Sequence, residues 1–114
     1  MDVIKHTIRK HCTIDSFYAY PVGYDNAAIA GSQVLNLEIG TTNLTGGALT
    51  LAYTSFDAEG DMGTAIAATA ITAGNEAAEG DVVTVELAAS GTGFTADTVA
   101  AVALFIDITI LPGA

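Results

Sequence analysis

The chain has 114 residues and a mass of 11.5 kDa, room for one domain of ordinary size and not for two. Three basic residues stand against 13 acidic ones for a formal charge of −10, and all three cations fall within the first ten residues. The acidic remainder repels phosphate backbones and anionic lipid heads, which argues against nucleic-acid and membrane-surface roles.

Val, Ile, Leu and Phe number 30, enough for a folded core that needs neither disulfide nor metal. The longest unbroken apolar run, 99–106, falls far short of the roughly 20 residues of a membrane helix. The start, MDVIKHTIRKHCTI, sets Lys and His among its apolar residues, so no secretory signal is expected. Cys12 is the single cysteine; it closes no disulfide within the chain and reads as a small buried hydrophobe.

Period-two alternation dominates, so the chain reads as all-β. Residues 3–10 and 13–20 are the first strand candidates. The cation-bearing residues 1–12 are either an extended N-terminal arm or the first strand, ahead of a body over 13–114. After turn chemistry at 23–26, residues 27–32 are a weak candidate for one helical turn. From 34 to 39, Leu35, Leu37 and Ile39 alternate with Val34, Asn36 and Glu38. Turns at 40–43 and at Gly46-Gly47 precede a strand over 48–54 that sets Leu49, Leu51 and Tyr53 on one face. Residues 65–73 form a weaker strand candidate, their alanines equally compatible with a short helix. The pattern sharpens again at 81–88, where Val83, Val85 and Leu87 share a face, and at 104–110. There Leu104, Ile106, Ile108 and Ile110 face one way and Phe105, Asp107 and Thr109 the other.

Seven or so strands joined by Gly-rich turns predict a two-sheet β-sandwich with Greek-key or jelly-roll connections, an open barrel being the competing architecture. The expected buried set is Leu35, Leu37, Leu49, Leu51, Val83, Val85, Leu87, Leu104, Ile106 and Ile108.

The chemistry-bearing residues assemble no reaction. His6 and His11 lie near Cys12, but five residues along an extended strand put the two imidazoles on opposite faces, a poor start for zinc. No serine sits in G-x-S-x-G, and no lysine follows position 10 to complete a phosphate loop. The acidic loop 57–61 alternates oxygen donors like a calcium loop. In an EF-hand register the closing glutamate would be Ala68 and the glycine Met62, so that match fails and only a looser surface site stays open. No catalytic residue, metal or cofactor is expected. Two candidate recognition surfaces remain. Val3, Ile4 and Ile8 with Lys5, Arg9 and Lys10 form a candidate partner interface, while Tyr18, Tyr20 and Tyr24 cluster around Pro21 and either cap a sandwich end or form a recognition patch.

The run AEGDVVTVELAASGTGFTADTVAAVALFIDI within residues 73–108 resembles the C-terminal halves of small β-sandwich structural proteins of tailed bacteriophages, capsid decoration (cement) proteins and head-fibre or tail-associated modules. The likeness covers about a third of the chain and rests on the phrase GDVVTVEL, a Gly- and Thr-rich turn and a closing strand ending FIDITI. It implies a non-enzymatic virion protein, made in the host cytoplasm and placed on the outer capsid surface. Its partners would be the major capsid protein and other copies of itself, as a dimer or trimer. The alternative it implies is a fibre, spike or tail-associated module that binds a host receptor or glycan.

Overall fold

In a computed structural model of the chain, residues 2–22, 32–52, 59–88 and 102–112 are described. Eight strands follow one another: β1 (Asp2–Thr7), β2 (Cys12–Pro21), β3 (Ser32–Ile39), β4 (Thr42–Ala52), β5 (Ile66–Ala67), β6 (Glu76–Ala77), β7 (Val82–Ala88) and β8 (Val102–Ile110). They form two antiparallel sheets packed face to face, the all-β sandwich that the alternation predicts. Sheet A has the order β1-β7-β3-β4, and in sheet B the strand β2 carries β8 along one edge and the short β5 and β6 on the other. Of the connections between successive long strands, β3–β4 turns within sheet A and β4–β7 returns to sheet A by way of β5 and β6 of sheet B, while β1–β2, β2–β3 and β7–β8 join one sheet to the other.

Alternation sets the core. Leu35, Leu37, Leu49, Leu51, Val83 and Val85 from sheet A meet Cys12, Ile14, Phe17 and Ala19 from β2, all buried. Each large side chain so buried contributes roughly 1.5–3 kcal/mol. The outer face of sheet A holds a polar row: Lys5, Thr84 and Glu38 occupy adjacent positions on β1, β7 and β3, with Thr84 and Glu38 buried.

Two expectations need correction. Gly46-Gly47 lies inside β4 and not in a turn; the turn is at Gly40-Thr41, where Ile39 pairs with Thr42. Between the pairs Asn36–Ala48 and Glu38–Asn43, residues 44–47 stand opposite Leu37 alone, so β4 bulges away from β3 there. The positive φ angles of Gly46 and Gly47, 87° and 76°, make that excursion possible. Second, Ile108 is 43% exposed instead of buried, and Leu87, Leu104 and Ile106 are only partly covered. These β8 residues do lie on the core face, paired with Ala19, Phe17 and Ile14, but β8 is the outer strand of sheet B and overhangs the body. Residues Asp2–Thr7, within the segment read as arm or first strand, are hydrogen-bonded to β7, and Ile8 just beyond them is buried in the core.

The two long sides of the sandwich differ. On one, the segment 65–78 runs as a strap between the sheets. It bonds to β4 through Thr45 N–H to Ala73 O (2.9 Å), Gly47 N–H to Thr69 O (3.0 Å) and Thr69 N–H to Ala48 O (2.9 Å). It bonds to β2 through Ala68 N–H to Phe17 O (3.0 Å) and Ile14 N–H to Asn75 O (2.8 Å), the Asn75 side-chain amide donating back to Ile14 O at 2.8 Å. On the other side, the outer edges of β1 and β8 carry no strand partner among the described residues.

Candidate functional site

The open side is a cleft of about 330 Å³ between β1 and β8. Its floor is the core itself, Phe17, Leu37, Val83 and Val85, and its rims are Ile4 and His6 on β1 and Ile106 and Ile108 on β8. Ile4 is 47% exposed and Ile110, further along β8, 52%. The two strands are thus apolar on faces that the body does not cover, and their backbone edges are open to strand addition among the described residues.

The residues expected to meet a partner divide accordingly. Ile4 stands on the cleft rim, and Arg9 and Lys10 are exposed in the turn after β1. Lys5 is exposed but on the outer face of sheet A, in the row with Thr84. Val3 contributes backbone to β1. Ile8 is not presented to a partner at all: it is buried, and its backbone is tied to the turn before β7 by Ile8 N–H to Asp81 O (2.8 Å) and Gly80 N–H to Ile8 O (2.9 Å).

A second surface lies on the outer face of sheet B. The register that pairs Tyr18 with Phe105 and Tyr20 with Ala103 sets three rings side by side. Tyr18 and Phe105 stack at 5.6 Å with planes 15° apart, and Tyr20 meets both edge-on at 5.7 and 5.8 Å. Next along the strands, Asp107 accepts hydrogen bonds from Ser16 Oγ (2.7 Å) and Tyr18 Oη (3.2 Å). Beyond it, Asp15 accepts from Thr13 Oγ1 (2.9 Å) and from Thr109 Oγ1. Desolvation beside its neighbouring rings, then the hydrogen bond to Asp107 and that carboxylate's charge, push the Tyr18 phenol above its ordinary pKa, so it stays a donor. Of the expected tyrosine cluster, Tyr18 and Tyr20 come together; Tyr24 lies outside the described residues. Phe105 and Asp107 complete the surface, and their outward position was legible in the alternation although their neighbours were not.

The remaining chemistry-bearing groups are dispersed. Cys12 is buried, its thiol pKa pushed up by desolvation first and by the Asp15 charge second, which suits a packing role. His11 Nε2 lies 2.6 Å from Glu76 Oε1, and its Nδ1 is buried without a partner. Asp57 of the acidic loop is outside the described residues, and Glu59–Asp61 form a short 3-10 turn. Among the described residues no three His, Cys, Asp or Glu side chains gather as a metal site, and no helix is long and apolar enough to cross a membrane.

Comparison with protein-family models, with curated proteins and with solved structures returns no match to the chain.

Proposed function

We propose that the chain is a non-enzymatic virion structural protein, a decoration or cement protein that seats on the outer surface of a tailed-phage capsid. The open side between β1 and β8 is its docking face and the major capsid protein its partner. The observation that carries this reading is the cleft, where core-facing isoleucines stay in water on two strands whose outer edges have no strand partner among the described residues. Covering a half-exposed isoleucine contributes roughly 1 kcal/mol, and an added strand supplies backbone hydrogen bonds along its length. Arg9 and Lys10 stand at the end of β1, the only exposed cations besides Lys5 in an otherwise acidic chain, and they steer an acidic shell surface toward that edge. Self-association into dimers or trimers presents several such faces at once and raises avidity without any new contact.

Co-sedimentation with purified capsid shells tests it. The double variant Ile4→Ser, Ile108→Ser should keep its β-sheet spectrum and lose at least tenfold in shell occupancy. Arg9→Ser with Lys10→Ser should give a milder defect that shrinks as salt rises. Removing residues 1–10 is not a clean test, because it takes Ile8 out of the core. Wild-type protein that binds no shell, or an isoleucine variant that binds as well as wild type, ends this reading.

A further inference from the structure

We propose that the groove between the aromatic ridge of sheet B and the strap binds a neutral carbohydrate, an uncharged pyranose within a glycan chain. The groove opens along β2 beside Tyr18 and Tyr20 and shares Phe17 alone with the lining of the open cleft, so its test is separable from the docking role given to that side.

The groove measures about 420 Å³, with Tyr18, Tyr20, Ser16, Asp15 and Asp107 on the sheet side and small strap residues such as Ala67 opposite. That volume lies within the roughly 300–1,000 Å³ of small-ligand sites. Two features of its lining match a sugar. The first is the ring cluster on a wet sheet face. Tyr18 and Tyr20 line the groove half-buried, and Phe105, 45% exposed and stacked on Tyr18, backs them from the side of the open cleft. Aromatic faces are negative and the C–H face of a pyranose is slightly positive, so ring and sugar attract beyond the area they bury.

The second is the pair of carboxylates. Ser16 and Tyr18 hold Asp107 and two threonines hold Asp15, so both are oriented before any ligand arrives. A carboxylate offers about four acceptor sites, so each retains capacity for the hydroxyls of a sugar. The two acids, in a chain of formal charge −10, also set the ligand's charge: sialic acids, uronic acids and phosphorylated sugars are repelled. A flat protein surface fits less well, since it would desolvate both carboxylates without matching donors.

Amide chemical-shift titration of the full chain with neutral gluco-, galacto- and N-acetylhexosamine oligosaccharides tests the site, with sialylated and uronic-acid oligosaccharides alongside. A neutral sugar should shift amides of β2, β8 and the strap. Tyr20→Ala and Asp107→Asn should each weaken binding about tenfold, a loss of about 1.4 kcal/mol. Asp107→Asn is nearly isosteric, so it keeps the readout should Tyr20→Ala unfold the sheet. Ile108→Ser, which changes only the open side, should bind sugar as wild type does. The proposal fails if no neutral sugar shifts the groove amides, if acidic sugars bind more tightly, or if binding survives Asp107→Asn unchanged. Loss of sugar binding with shell binding intact, or the reverse, separates this site from the docking face.

Discussion

The strap side and the open side of this sandwich solve the same problem in different ways. Both flank one core, and both must end two sheets without leaving apolar residues in water. On the strap side, 65–78 bonds to β4 with one set of backbone groups and to β2 with another, so the sheets are joined by hydrogen bonds as well as by packing. On the open side β1 and β8 stop short of each other, and isoleucines remain half in water. A small sandwich that is locked along one seam can leave the other unfinished, and the unfinished seam is the one available to a partner.

Glycine substitutions break this contrast most sharply. A Cβ on Gly46 would sit 1.8 Å from Ala70 O at a φ of 87°, so β4 and the strap could not both keep their places. Gly46→Ala should destabilise the fold by about 3–5 kcal/mol in urea melts, combining overpacking and backbone strain. Gly40, at a φ of 64° with nothing within 4 Å of its would-be Cβ, is the control. Gly40→Ala should show only the intrinsic left-handed penalty of about 1–2 kcal/mol. Equal losses at the two positions would mean that the strap is not a seam.

Core truncations sharpen the comparison next. Leu49→Ala, on the buried face of β4, should lose about 2–5 kcal/mol, while Ile108→Ala on the overhanging strand should lose about 1 kcal/mol or less. A large loss at Ile108 in the isolated chain would show that the open side is closed in solution.

The smallest effect is a pH dependence. With its phenol pKa raised in the folded state, Tyr18 favours folding fully below the ordinary phenol value of about 10, and this contribution is lost as pH rises through the folded value. Absorbance titration of the phenolates should show Tyr18 ionising after an unfolded reference. Asp107→Asn removes both a hydrogen-bond acceptor and a negative charge, and should bring that titration down part of the way.

Alternation made β3, the second half of β4, β7 and β8 legible, because period two marks the face of every residue in a regular strand. It stated which way Ile108 points but not whether anything lies across from it, since coverage depends on which strand is outermost. It misplaced Gly46-Gly47 because paired glycines serve hairpin turns and strand bulges alike, and only the approach of Ala70 distinguishes the two. The ring cluster was half visible. Tyr18 and Tyr20 stand out in the sequence, but Phe105 and Asp107 join them only through a register shifted between Ile14 and Ser16, which no local pattern encodes.

The placement of the cations has a consequence for approach from a distance. Lys5, Arg9 and Lys10 belong to β1 and the turn after it, while 12 of the 13 acids lie beyond residue 10. The molecule therefore carries a permanent electric dipole. Near an acidic surface it experiences a torque that turns the β1 edge forward before any atom touches. At physiological ionic strength the field decays over about 8 Å, well short of the 50 Å long axis, so the molecule tumbles freely until it is almost in contact and then rotates into orientation within the last few solvent layers.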